Sequence, residues 1–273
     1  MGVLDRQVAI VTGAGRGFGR NIALHLAQAG AAVTLTSRTR SQLDETAALI
    51  EAGGGRALAL PGDVTQRADV EQIVKETEQQ LGPVDILINN AGVPDPFGPI
   101  GTVDPDHWWR TQEVHVRAPL YYISAVLPGM CRRRHGCIIN ISAKAAYVLA
   151  PNLSAYCLAK TAQNRMIEFI AAESGGEGIR AFAMDPGFVV TQLAEDTMNS
   201  PDARRWLPEM VKHLRARKED KESQGDLDRC GERCVALASG RYDALSGSFM
   251  EPHDDLDEML KKKLSEPKDQ EQS

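Results

Sequence analysis

The sequence predicts an α/β fold: one doubly wound parallel sheet of about seven strands, flanked by helices on both faces, in a single domain. Three observations carry that expectation. Short apolar runs rich in β-branched residues alternate with helical stretches, and the connections between them are short. The first pair, the apolar run Val8–Val11 and the largely apolar stretch Ile22–Ala27, is joined by a glycine-rich turn, which makes it the opening half of a β-α-β unit. The length of 273 residues, with 42 % hydrophobic and 25 % charged residues, suits one large α/β domain.

Taken in order, Val8–Val11 reads as a strand buried on both faces. After the first helix, Ala32–Ser37 reads as the second strand, and Ser41–Glu51 as a helix with Leu43, Ala47 and Ile50 on one face, closed by Gly53-Gly54-Gly55. Ala57–Leu60 is a third strand. Val70, Ile73, Val74 and Leu81 mark a third helix, which stops at Gly82-Pro83 before the fourth strand, Val84–Asn89. Val93–Pro105, dense in proline and glycine, is expected to be a loop. Asp106–Cys131 reads as a long helical region with an irregularity at Pro119, ending in the solvated cations Arg132–His135. Its Trp108 and Trp109 read as packing residues, with substrate stacking as the alternative. Cys137–Ser142 is the fifth strand, Ser154–Glu173 a long helix, Ile179–Met184 the sixth strand, Asp226–Ala238 a helix and Leu245–Met250 the last strand. The domain is expected to occupy residues 1–263, with 188–225 as a loop region covering a cleft and Arg215–Glu222 as an exposed helix end. The polar tail, residues 264–273, is expected to be disordered.

The net charge of −6 argues against a nucleic-acid or anionic-membrane surface. No uncharged apolar run is long enough to span a bilayer. Asp5 and Arg6 precede the first apolar run, so no signal-peptide pattern is expected. The five cysteines have no framework spacing and read as reduced thiols in a cytoplasmic protein. Cys230 and Cys234 share a predicted helix face, but nothing else at suitable spacing completes a metal site, and no metal is expected.

The chemistry-bearing pattern begins in the first turn, Gly13-Ala14-Gly15-Arg16-Gly17-Phe18-Gly19. Gly13 permits a tight turn, Gly17 removes a Cβ that would hold a phosphate away, and Gly19 permits close helix packing. The free N–H groups and dipole of the helix that follows favour a pyrophosphate. Further along come Asp63-Val64, Asn89-Asn90-Ala91-Gly92, Tyr156-Cys157-Leu158-Ala159-Lys160, and Pro186-Gly187 with Val189 and Thr191 beyond. These motifs occur in one order, each at a predicted strand end or helix start. The chain resembles the short-chain dehydrogenase/reductase family over nearly its whole length.

That resemblance implies a Rossmann-type sheet and an oxidoreductase that moves a hydride between a nicotinamide cofactor and a small-molecule carbonyl or secondary alcohol. It implies that Asp63-Val64 holds the adenine, that Asn90, Ala91 and Gly92 line the cofactor, and that Pro186, Gly187, Val189 and Thr191 clamp the nicotinamide carboxamide. Tyr156 and Lys160 stand four apart, so a helix stacks them on one face. An ammonium and a cationic nicotinamide beside a phenol favour its ionised form. Tyr156 would then exchange a proton with the substrate oxygen, and Lys160 would also hold the nicotinamide ribose. The cofactor is expected to be NADP. An NAD site places a carboxylate at the end of the second strand; here that position is Ser37 followed by Arg38, and the first acid is Asp44. Arg38 can fork a 2′-phosphate, and Arg16 can reach the same group from the glycine loop.

Two positions depart from the family pattern. The catalytic serine of most members lies thirteen residues before the tyrosine, where this chain has Ala143. Ser142, one residue earlier, would face the other way on a strand, and it is a catalytic candidate only if the following loop is rearranged. Lys144, Tyr147 and Ser154 are the alternatives. His115 replaces an asparagine that shapes a helix kink; it either packs in its place or adds a group titrating near neutral pH. These departures leave two other readings open: a dinucleotide-binding protein with weakened or lost catalysis, and an NAD-preferring dehydrogenase. The resemblance further implies a homodimer or homotetramer, for which Ile167, Ile170 and Ala171 either form an interface or face the sheet. Substrate contacts are expected from residues 93–98, 143–149 and 188–225, whose composition suggests a moderately apolar substrate.

Overall fold

Seven strands form one parallel sheet in the computed structural model, which describes residues 2–218 and 223–265. The strands are β1 (Val8–Thr12), β2 (Ala32–Thr36), β3 (Arg56–Ala59), β4 (Ile86–Asn89), β5 (Gly136–Ile141), β6 (Ile179–Met184) and β7 (Phe249–Met250). Their order is β3-β2-β1-β4-β5-β6-β7, so the winding reverses between β1 and β4, and a crevice opens there at the carboxyl ends. Ile10 is paired with Thr34 of β2 on one side and Leu87 of β4 on the other. Every residue of β1, β2, β4, β5 and β6 is buried, which is why these segments are continuous apolar runs and not alternating ones.

Helices cover both faces. On one face α1 (Gly17–Gln28), α2 (Arg40–Ala52) and α10 (Ser223–Ala238) bury Ile22, Leu26, Leu43, Ile50, Cys230, Cys234 and Leu237 against Val11, Val33, Ile88 and Ile139. On the other, α3 (Arg67–Gln80), α5 (Ala118–Arg133) and α6 (Ser154–Ser174) bury Val70, Ile73, Tyr122, Val126, Ile167 and Ile170 against Ile10, Leu87 and Ile138. Ile167 and Ile170 therefore face the sheet; the interface reading for them is overturned by the helix phase. The exposed large apolar residues on α6 are instead Leu158 and Phe169.

Four other expectations are corrected. The region 188–225 is largely helical: α7 (Gln192–Asn199), α8 (Pro201–Trp206) and α9 (Pro208–Lys218) occupy most of it. These helices are short, and α8 and α9 each begin at a proline that breaks the run; Ala194, Met198 and Leu214 form one small core and Phe97, Ala203 and Val211 another. Of the charge run Arg215–Glu222, the part to Lys218 ends α9, and residues 219–222 lie outside the described residues. At the carboxyl end, α11 (Leu256–Ser265) includes Leu264, two residues of the expected tail, while 266–273 lie outside the described residues. The long helical region before β5 is three segments: α4 (Pro105–Gln112), a π-helical turn (Glu113–Arg117) and α5. The irregularity precedes Pro119 because a proline has no N–H for the carbonyl of His115, four residues back, and its ring crowds it. Trp108 packs and donates from Nε1 to Ser154 Oγ (3.1 Å), but Trp109 is 60 % exposed and only stacks on Trp108.

The turn from β1 into α1 is tightly packed. Gly13 has φ +67°, and a Cβ on Gly19 would lie 2.2 Å from the Gly13 carbonyl oxygen and 2.5 Å from Asn90 Nδ2. No flexible side chain can yield at the first of these contacts. Gly19→Ala is expected to lower stability by about 1–3 kcal/mol, read as a lower urea midpoint with an unchanged slope.

Candidate active site

A cleft of about 550 Å³ runs along the carboxyl ends of the strands. Gly13, Gly15, Arg16, Gly17, Phe18 and Gly19 of the first turn line it. The N-terminus of α1 has no side-chain cap, so its first N–H groups are left for a ligand. Arg20, which no sequence motif marks, stiffens this turn by donating from Nε and Nη2 to the Gly15 carbonyl (3.0 and 2.5 Å). Thr46 Oγ1 donates to the Ala14 carbonyl (3.1 Å). A Cβ on Gly17 would meet Thr191 Cγ2 at 3.2 Å, which places the loop after β6 across the glycine turn.

On the β2–β3 side, Ser37, Arg38, Asp63 and Val64 line the cleft. Ser37 Oγ is buried without a protein partner, and among the described residues neither Arg16 nor Arg38 forms an ion pair. Burial alone would raise the Asp63 carboxyl, but hydrogen bonds from the Thr65 N–H and hydroxyl (2.9 and 2.8 Å), with the charges of Arg38 and Arg110, hold it below the usual range. Arg110 lines the cleft from α4 and was not singled out from the sequence. In the middle, Asn90, Ala91 and Gly92 follow β4, and the main-chain N–H groups of Asn90 and Ala91 both donate to Thr12 Oγ1 (2.9 and 3.0 Å).

On the β5–β6 side lie Ser142, Tyr156 and Lys160, with His115 and the loop Pro186, Gly187, Val189 and Thr191. Tyr156 and Lys160 are one turn apart on α6, with Lys160 Nζ 5.4 Å from the centre of the Tyr156 ring. Lys160 Nζ donates to the Ile141 carbonyl (2.8 Å) and to Gln163 Oε1 (3.0 Å). Burial pulls Lys160 down to about 7, opposed by the charge of Asp185. Burial pushes the Tyr156 phenol up, and Asp185 adds to the effect. In the free protein, then, Tyr156 keeps its proton; the expected phenolate belongs to a state with a cationic nicotinamide beside the phenol as well.

These features meet at a single cleft: a glycine turn at an uncapped helix, a motif after each of β2 to β6, and a Tyr–Lys pair. The family model described as short chain dehydrogenase matches residues 7–202. The chain belongs to the short-chain dehydrogenase family. It is 36 % identical over 264 residues to a short chain dehydrogenase of Pseudocercospora fijiensis, covering 95 % of this chain and 84 % of that one. Among solved structures, a gluconate 5-dehydrogenase of Burkholderia cenocepacia in complex with NADP and tartrate is 29 % identical with a TM-score of 0.77, covering 91 % of this chain and 94 % of that one. A 7α-hydroxysteroid dehydrogenase complexed with NADH and 7-oxo glycochenodeoxycholic acid is 27 % identical with a TM-score of 0.78, covering 91 % and 93 %.

The two departures of this short-chain dehydrogenase now have a geometry. β5 ends at Ile141, so Ser142 is not a strand residue, and Ser142 and Ala143 both line the cleft. Ser142 Oγ is buried with no protein partner. Of the three alternatives, Lys144 lines the cleft but pairs through Nζ with Glu251 (2.9 Å), while Tyr147, packed on Phe249, and Ser154, which accepts from Trp108, are not among the residues lining the cleft. His115 is 1 % exposed in the π-helical turn, edge-on to Tyr156 with ring centres 5.4 Å apart. Its Nε2 lies 2.8 Å from the Val93 carbonyl oxygen, and its Nδ1 has no partner. Burial, with the charge of Lys160, pushes His115 down to about 3, so the ring is neutral throughout the physiological range and adds no switch there.

The buried lysine sets a pH dependence. Lys160 is near 7 when folded and near 10.5 on an unfolded chain. Between those values the unfolded chain holds a proton that the folded one has released, so stability rises with pH across that window. The melting temperature of the free protein, measured relative to Lys160→Met, is expected to rise between pH 7 and pH 10; a constant difference would contradict the burial argument.

Proposed function

We propose that this short-chain dehydrogenase is an NADP(H)-dependent reductase of apolar ketones or aldehydes, reversible toward secondary alcohols. The observation that carries it is the pairing in one cleft of a protonated Tyr156 above Lys160 with a β2 end that offers Ser37 and Arg38 and no carboxylate. The cradle suits a dinucleotide: the uncapped α1 N-terminus meets a pyrophosphate, Arg38 and Arg16 meet a 2′-phosphate, and the partnerless Ser37 hydroxyl can donate to the same group. Asp63 and Val64 serve the adenine side. Pro186, Gly187, Val189 and Thr191 hold the other end. The neighbours bound to NADP and to NADH show that the fold accepts either dinucleotide, so the preference rests on this chain's own arginines.

A nicotinamide bound here supplies the hydride. Tyr156 donates its phenolic proton to the carbonyl oxygen, and Lys160 holds the ribose and supports the phenol. Ser142 Oγ is the free hydroxyl that can steady the substrate oxygen. The helices between Gln192 and Lys218 cover the substrate, with Phe188, Leu193, Met210 and Leu214 giving the pocket apolar walls. Ala143 favours a second reading, binding with weakened turnover, because losing one donor to the reacting oxygen costs roughly 10²- to 10³-fold.

NADPH oxidation with apolar ketones, aldehydes and quinones tests the reading. Tyr156→Phe should lower kcat by about 10²–10⁴-fold with NADPH still bound. NADPH binding without turnover by the wild type would select the second reading. Ser37→Asp with Arg38→Asp should weaken NADPH at least about tenfold, the value of one charged hydrogen bond, and a wild type that prefers NADH would overturn the cofactor assignment.

A further inference from the structure

Asp185 follows β6 and faces the cleft, and no motif points to it. Both of its oxygens are taken by main-chain donors from two different loops. The Lys144 N–H, in the loop after β5, donates to Oδ2 at 2.6 Å. The Gly187 N–H, in the loop after β6, donates to Oδ1 at 2.9 Å. One residue back, the Ser142 N–H donates to the Met184 carbonyl at 2.7 Å, and the residue before Ser142 is Ile141, whose carbonyl anchors the Lys160 ammonium. The carboxylate thus extends the β5–β6 contact that carries Lys160, at the point where Ala143 leaves the site without its usual hydroxyl.

We propose that Asp185 is a positioning residue: its carboxylate ties the Ala143–Lys144 loop to the Pro186–Gly187 loop and supplies negative charge to the Tyr156–Lys160 end of the cleft. The inference rests on the oxidoreductase reading above. Burial disfavours the charge on Asp185, while the two N–H donors and Lys160 favour it. The other groups around it are accounted for. Lys144 is paired with Glu251, which raises Lys144 and opposes the charge on Asp185; Asp254 adds to the field at Lys144. His115 is neutral, and Cys157 adds only to the effect of burial on Tyr156. The Asp185 charge keeps a proton on Lys160 against burial and on Tyr156 together with burial. Both effects extend the acid form of the pair, which donates in carbonyl reduction, to higher pH.

The test compares Asp185→Asn, which removes the charge and one acceptor, with Asp185→Glu, which keeps the charge. In reduction assays the alkaline limb of kcat/KM should move down by about one pH unit in Asp185→Asn, a tenfold loss above the limb, and return in Asp185→Glu. An equal loss at every pH, with the limb in place, would overturn the electrostatic role. Two readouts need no cofactor. In free protein labelled with ¹³C-lysine, with Lys160→Arg assigning the signal, the Lys160 midpoint near 7 should fall in Asp185→Asn. Amide exchange in peptides 143–147 and 186–191 should quicken; unchanged exchange and midpoint together defeat the proposal. Asp185→Ser is carried in parallel, so that if the Asn variant does not fold, the order of Lys160 midpoints across Glu, Asp and Ser decides. Failure of every form to reduce a carbonyl would count against the oxidoreductase reading, while the midpoint and exchange results would still judge Asp185.

Discussion

The close approach of β1 and β4 at their carboxyl ends is the constraint on which the site depends. Thr12 Oγ1 lies within donating distance of the Ile88 carbonyl (3.4 Å) and accepts from the N–H groups of Asn90 and Ala91, while Asn90 Nδ2 donates back to the Thr12 carbonyl (2.9 Å). The Asn90 side chain occupies the space that a Cβ on Gly13 or Gly19 would need. Only a turn bare at both positions can therefore enter α1 here, and that turn leaves helix N–H groups facing the crevice where the winding of the sheet reverses. The glycine pattern is thus as much a packing requirement of the strand ends as a ligand cradle.

At the other end of the crevice, burial decides the protonation states. Tyr156, Lys160 and His115 all lose water, and each is pushed toward its neutral form. A cation near Tyr156 does not by itself produce a phenolate when both groups are desolvated. Lys160 spends its hydrogen bonds on the Ile141 carbonyl and Gln163, which favour its charge, and Asp185 works in the same direction. The resulting resting state is a neutral phenol over a lysine poised near neutrality, a state suited to giving a proton.

Legibility followed the strength of each local signal. Val8–Thr12 and Ile179–Met184 were readable because a strand buried on both faces must be apolar throughout. The glycine turn, Asn90–Gly92 and the Tyr156–Lys160 spacing were readable because each carries its chemistry in adjacent residues. α7 to α9 were not, since helices of 6 to 11 residues span at most about three turns and Pro201 and Pro208 interrupt the run. Asp185 and Arg20 were missed because an isolated charged residue has no sequence signature of what it will touch. The exposed Trp109 and Phe169, against the buried Ile167 and Ile170, show the limit of composition: helix phase assigns the faces, and phase is set by packing.

The sequence by itself determined the alternation of strands and helices, the parallel sheet and the place of each motif at a strand end, because these follow from local apolar pattern and glycine freedom. Only the tertiary structure decided which groups are charged, which hydroxyls lack partners, and which loops share a carboxylate. Those properties depend on burial and on contacts between residues as far apart as Lys144 and Asp185, and no window of sequence contains them.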